Sequence, residues 1–211
     1  MNRGRFITIE GVEGVGKSTN IDFIQSLLNA RNLDSITTRE PGGTRLGELI
    51  RNVLLDKSQH QMSAMTELLL MFAARTQHIE QTIEPALASG KWVICDRFTD
   101  SSYAYQGGGR NMGMNVIAQL EKLSIDNFQP DCTIILDLPV DAGLSRAESV
   151  GEKDRFESES TDFFNRVRQV FVERAEKEDR AHIINAAVPL AEVQDHILLI
   201  LEPFLNQNVP T

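Results

Sequence analysis

Ten residues near the N-terminus, Glu10-Gly11-Val12-Glu13-Gly14-Val15-Gly16-Lys17-Ser18-Thr19, set glycines, a lysine and two hydroxyls at a fixed spacing. The pattern Gly-x-x-x-x-Gly-Lys-Ser suits the holding of a polyphosphate. Glycines let backbone N–H groups close around phosphate oxygens, and a helix that starts after them adds its positive end. The Lys17 ammonium would neutralise charge on the β- and γ-phosphates, and the Ser18 hydroxyl would ligate Mg²⁺. The residues from Gly11 to Thr19 are therefore the expected contacts of a nucleoside triphosphate. Glu13 is the misfit, a carboxylate inside a loop built for a polyanion. The loop also lacks arginine, so a cation that meets a transferring phosphoryl group must come from elsewhere in the chain.

Arginines recur one at a time further on: Arg39, Arg45, Arg51, Arg75, Arg97 and Arg110. As a set they suit a second substrate that carries phosphate. No guanine-reading "NKxD" pattern is present. Asp96 closes an apolar run, where its carboxylate can reach a metal through water or orient the loop. Capping a helix or pairing with arginine is the structural alternative for it.

These residues need a scaffold, and the apolar pattern supplies one. β-rich runs fall at Phe6–Glu10, Ser35–Thr38, Trp92–Asp96, Thr133–Leu138 and His182–Asn185. Helical spacing marks Ser18–Asn29, Thr66–Ile83, Ser160–Lys177 and Leu190–Leu205. Strands alternating with helices indicate an α/β fold with a parallel sheet covered on both faces. Right-handed crossovers bring the strands' C-terminal ends to one edge, where ligands bind. The glycine-rich loop, "REPGGTR", "DRFTDSS" and "DLPVDAGLSR" each follow a strand and so gather at that edge. The charged stretch "AESVGEKDR" reads as a mobile loop.

Composition narrows the partners. The 211 residues carry a net charge of −9, which weighs against a nucleic-acid duplex. Focused arginines can still hold a small anion. The two cysteines, Cys95 and Cys132, lie in apolar runs without metal-ligand spacing and read as buried hydrophobes. The first residues show no secretory signal, and "ILLIL" is too short to cross a bilayer; a cytoplasmic location and no membrane partner are expected.

Five stretches then carry a closer likeness: "EGVEGVGKST", "TREPGGTRLGELIR", "LLLMFAARTQHIE", "VICDRFTDSSYAYQGGGR" and "PDCTIILDLPVDAGLSR". Together the chain resembles the bacterial thymidylate kinases, over nearly its whole length. The resemblance implies a three-layer P-loop NTPase fold, a five-stranded parallel sheet flanked by helices in one domain, 1–211, with a short lid near 147–157. It implies that ATP, with Mg²⁺ held by Ser18 and Asp96, phosphorylates dTMP to dTDP, and that the enzyme is a homodimer. For the acceptor it implies Phe72 stacked on thymine, and Arg75, Ser102 and Gln106 on the polar edge of the base. Tyr105 would lie against the sugar 2′ position, and Arg51 and Arg97 on the monophosphate. Glu13 would accept from the 3′-hydroxyl of the deoxyribose. Lys17, Arg97 and a lid arginine would be catalytic.

The lid departs from the family pattern. Arg146 and Arg155 occupy matching positions, but Glu148 and Val150 stand where relatives often have arginine. The expected order for the catalytic cation is Arg155, then Arg146, then Lys153. A kinase acting on a nucleoside or another monophosphate, or a P-loop ATPase or switch that drives a partner, is the competing reading.

Overall fold

The computed structural model describes residues 3–59, 61–148 and 154–206, with the side chains of 147 and 148 left aside. Five strands form one sheet in the order β2-β3-β1-β4-β5. They are β1 (Phe6–Glu10), β2 (Ser35–Arg39), β3 (Trp92–Asp96), β4 (Cys132–Asp137) and β5 (Ala181–Asn185), and every neighbouring pair is parallel. The central strands are the continuous apolar runs: all of β1, and β3 and β4 save their last residues, are buried. Strands covered on both faces need that pattern, whereas the outer strands β2 and β5 mix exposed with part-buried or buried residues. Both cysteines are buried and unbridged in the sheet, as their apolar settings imply.

Helices α1 (Lys17–Asn29), α2 (Arg45–Leu55), α3 (Ala64–His78), α4 (Glu84–Ala88), α5 (Thr99–Ser102), α6 (Met114–Ile125), α7 (Val140–Glu148), α8 (Thr161–Lys177) and α9 (Leu190–Asn206) surround the sheet. Local chemistry starts several of them. Thr44 accepts from the Gly47 N–H, Ser63 from the Thr66 N–H and Ser160 from the Phe163 N–H, each satisfying a donor of a first turn.

The single helix expected over Thr66–Ile83 is two helices joined by a wide turn. α3 runs into a π-turn at Ile79–Ile83, which hands on to α4. Pro85 has no N–H for the carbonyl four residues back, and its ring crowds that carbonyl, so the preceding turn opens. A second π-turn, Tyr103–Gly109, follows α5 and buries Tyr105 and Gln106. Strand ends differ from expectation by a residue: β2 includes Arg39, β4 starts at Cys132 and β5 at Ala181.

The glycine loop after β1 is locked from two sides. Gly14 has φ of 72°, in the left-handed region. A Cβ there would sit 2.0 Å from the Gly143 carbonyl oxygen on α7 and 3.2 Å from the Arg146 Cβ. A Cβ on Gly143 would meet the Glu13 carbonyl oxygen at 2.6 Å. Alanine at position 143 gains about 1 kcal/mol of helix propensity. Forcing the loop aside costs about 1–3 kcal/mol, so overpacking wins. Gly143→Ala is therefore expected to lower thermal stability and to raise the KM for the phosphoryl donor, measured by thermal melting and initial rates. A more stable variant with unchanged KM would show that the contact does not constrain the loop.

Candidate active site

A cavity of about 590 Å³ opens where β1 and β3 end. Glu13, Gly14, Gly16, Lys17, Ser18 and Thr19 line one side. The other side includes Arg51, Arg75, Asp96, Arg97, Ser102, Tyr105, Gln106, Arg146 and Phe156. Most of the residues picked out by sequence thus meet in one place. Val12 and Val15 turn the other way, into the apolar core, and anchor the loop.

The loop is preformed. Lys17 curls back, donating from Nζ to the Val12 carbonyl at 3.0 Å and to the Gly11 carbonyl at 3.4 Å. Burial, and then the neighbouring Arg97, pull its ammonium below the ordinary lysine range. A polyphosphate arriving there meets a cation whose internal partners are only carbonyls. Asn20 donates to the Gly16 carbonyl at 2.9 Å and steadies the turn from α1.

Glu13 ties the two sides together. Arg97, with φ of 69°, leaves β3 in the left-handed region. That turn lets its guanidinium reach the Gly11 carbonyl at 2.9 Å, the Ser101 hydroxyl at 3.2 Å and Glu13 Oε1 at 2.9 Å. The Tyr105 hydroxyl donates to both Glu13 oxygens at 2.8 Å. Burial pushes the Tyr105 phenol well above its usual range, so it stays a donor. The Arg97 guanidinium lies 4.9 Å from the Tyr105 ring centre.

Arg75 is held in three directions and is 2% exposed. Its Nε donates to Glu40 Oε2 at 2.6 Å, one terminal nitrogen to the Ser102 hydroxyl at 3.0 Å, and the other to the Phe98 carbonyl at 3.0 Å. His78 bridges the other Glu40 oxygen at 3.0 Å and Thr38 at 2.7 Å, so it is a satisfied core residue. Arg51 donates to the Pro41 carbonyl at 2.9 Å. Asp96 Oδ1 is buried without a hydrogen-bond partner, which is unusual for a carboxylate and fits an outside cation.

Two expected residues lie off the cavity, and a third lines it. Phe72 is 2% exposed and does not line the cavity; the Arg75 guanidinium stacks 4.7 Å from its ring centre instead. Arg155 does not line the cavity either. Its Nε donates to the Leu54 carbonyl at 2.7 Å and a terminal nitrogen to Glu67 Oε2 at 2.6 Å. Arg146 is exposed, lines the cavity and is rooted against Gly14. Lys153 and Val150 lie outside the described residues, as does much of the stretch read as a lid.

Sequence reasoning missed the carboxylates behind these groups. Glu10 ends β1 and is buried, accepting from the Phe98 N–H at 2.7 Å and the Ser101 hydroxyl at 2.6 Å. Glu40 and Glu67 play the same part for Arg75 and Arg155. An acidic residue at the end of a buried strand was the one visible signal, at Glu10.

A phosphate-cradling loop at the centre of a parallel sheet, facing an arginine-bearing cavity, defines a phosphotransferase of the P-loop class. The sequence profile of the thymidylate kinase family matches residues 9–197. The thymidylate kinase of Teredinibacter turnerae is 53% identical over 203 residues, 96% of this chain and 99% of the relative. That of Pseudomonas fluorescens is 51% identical over 205 residues, 97% and 98% of the two chains. The crystal structure of thymidylate kinase from Ehrlichia chaffeensis superposes with a TM-score of 0.76 at 33% identity, covering 95% of this chain and 99% of that one. The chain belongs to the thymidylate kinase family, and its reaction moves a phosphoryl group from ATP to dTMP.

Glu10 makes the site's support pH-dependent. Burial, and then repulsion from Asp100, raise its carboxyl from 4.5 to about 7. A carboxyl raised on folding contributes stability that is complete below its unfolded value and is lost as pH rises through the folded one. Wild-type stability is therefore expected to fall relative to Glu10→Gln as pH rises from 4.5 to about 7. Urea denaturation of both proteins across that range checks it, and a constant difference would refute it.

Proposed function

We propose that the cavity seats the two substrates of this reaction with their phosphates meeting at the loop. ATP lies with its phosphates along Gly11–Thr19, and dTMP lies between Arg75, Ser102, Tyr105 and Gln106. The observation that carries this reading is Glu13, which belongs to the donor's loop yet is bonded to Arg97 and Tyr105 of the acceptor wall. Its carboxylate accepts from the 3′-hydroxyl of the deoxyribose, and Tyr105 crowds the 2′ position. Arg51 and Arg97 hold the acceptor phosphate, while Phe72 supports the base side through the Arg75 stacked on it.

Ser18 and Asp96 would hold the Mg²⁺ that accompanies ATP and screens its phosphates. The orphaned Asp96 oxygen supports this. Among the described residues there is no group of three metal-ligating side chains, consistent with a cation shared with substrate oxygens rather than caged by protein.

Lys17, Arg97 and a further arginine stabilise the transferring group. In this reading the further arginine is Arg146 rather than Arg155, the residue placed first from sequence. Arg146 reaches the cavity, whereas Arg155 is engaged at α2 and α3. No general base is needed, because the acceptor is a phosphate oxygen already ionised at neutral pH. Within one domain, catalysis then rests on positioning and charge.

A coupled assay with ATP, Mg²⁺ and a panel of dTMP, UMP, AMP and thymidine tests the whole reading. dTMP is expected to be preferred. Glu13→Ala should raise the KM for dTMP by about tenfold or more with little change for ATP, as loss of a charged hydrogen bond does. Arg146→Ala should lower kcat by about 10³-fold, and Arg155→Ala far less. The opposite ranking would return the catalytic role to Arg155.

The protein is also proposed to be a cytoplasmic homodimer that binds no nucleic acid. No helix among the described residues is long and apolar enough to cross a membrane. Leu46, Leu49 and Val53 on α2 and Met65 and Leu69 on α3 are each about half exposed and form an apolar face that a second copy would cover. Light scattering should give twice the chain mass, and Leu49→Glu with Leu69→Glu should give one. A monomeric wild type would reject the dimer.

A further inference from the structure

Glu67 lies on α3 behind the cavity, with a side chain 1% exposed, and does not line the cavity itself. Three residues donate to it. Gln106 Nε2 reaches Oε1 at 2.8 Å. Arg110 reaches Oε1 at 3.2 Å through Nε and Oε2 at 3.1 Å through a terminal nitrogen. Arg155 reaches Oε2 at 2.6 Å. A carboxylate between two guanidiniums offers only acceptors.

That fact decides which way the Gln106 amide faces. If its carbonyl pointed at Glu67, two acceptors would meet with no proton between them, at a buried position where the lost bond costs most. So the NH₂ group faces Glu67. The carbonyl Oε1 receives no hydrogen bond from a described residue, and Gln106 lines the cavity. Next to it stands a donor side. Ser102 accepts from Arg75 and keeps its own proton to give, and Glu40 holds Arg75 in place.

The cavity therefore presents one fixed acceptor beside fixed donors. A 4-oxo-pyrimidine offers the complement, an N3–H donor beside an O4 acceptor. Cytosine offers the reverse, a bare N3 beside an N4 amine. A turned Gln106 amide would accommodate cytosine, and Glu67 forbids that turn.

We infer that Glu67 is a positioning residue that sets base selectivity, by holding the Gln106 amide so that cytidine monophosphates are refused. The inference rests on the proposed seating of the acceptor base against Gln106.

The test compares kcat/KM for dTMP and dCMP in the wild type, Gln106→Met, Glu67→Gln and Glu67→Asp. Gln106→Met removes the acceptor and should raise the dCMP-to-dTMP ratio by about 100-fold, since sites that hydrogen-bond a substrate reject mismatches strongly. Glu67→Gln can donate as well as accept, so the amide is free to turn and the ratio should rise by about tenfold or more. Glu67→Asp still only accepts; it should lower both values together and leave the ratio near wild type. A raised ratio in Gln106→Met with a wild-type ratio in Glu67→Gln overturns the role of Glu67. An unchanged ratio in Gln106→Met overturns the seating of the base.

Should Glu67→Gln fail to fold, the wild type decides. The Gln106 side-chain amide protons, identified in NMR spectra by their absence from Gln106→Met, should exchange slowly with solvent with and without dTMP. Exchange as fast as in a free amide, or loss of protection when dTMP binds, overturns the inference.

Discussion

Arginine in a buried cavity must be both charged and still, and the whole arrangement of this site follows from how that is achieved. A guanidinium has five donors and a long, flexible stem. Left in water it would sample many positions and pair with whatever anion came first. Here Arg97 is fixed by Glu13 and the Gly11 carbonyl, Arg75 by Glu40, Ser102 and the Phe98 carbonyl, and Arg51 by the Pro41 carbonyl. Each is held in place by its own neighbours, so the cost of ordering these side chains is met during folding. A chain of net charge −9 can therefore still concentrate positive charge around one cavity. The excess acid includes carboxylates that hold the site's cations.

Such pairs are not a route to stability. Desolvating two charges costs several kcal/mol per ion, and the attraction between them returns about as much only when the remaining donors are also satisfied. The structure spends its packing elsewhere, in the aliphatic layers between β1, β3, β4 and the helices that cover them. A second buried set, Asp100 with Arg174 and Arg180, repeats the design on the far side of α5. There the pairs join α5 to α8 and to the start of β5, and so hold the helix from which Ser101 and Ser102 project.

Much of this was legible in the residues. The central strands read as unbroken apolar runs because they are covered on both faces, and the cradle read from its glycines because glycine takes positive φ at little steric cost. Helix α3 was legible as a pattern, but not its widening at Ile79–Ile83, since side-chain spacing carries little trace of one extra residue in a turn. The partner of each arginine was not legible at all. Sequence shows that Arg155 and Arg146 are cations; only the fold shows that Arg155 is engaged by Glu67 and Leu54 while Arg146 stands beside the loop. The surroundings of Phe72 were hidden for the same reason: sequence does not show that the Arg75 guanidinium lies 4.7 Å from its ring centre.

Gly14 and Gly143 face each other across the gap between the loop and α7, closer than any side chain would allow. Neither position can drift while the backbone on the other side stays where it is. The familiar glycine of the loop thus has an unadvertised twin about 130 residues away, in a helix where a glycine would otherwise look replaceable. Among descendants of this chain, purifying selection should weigh on that helical glycine as heavily as on the loop itself, although it touches no nucleotide.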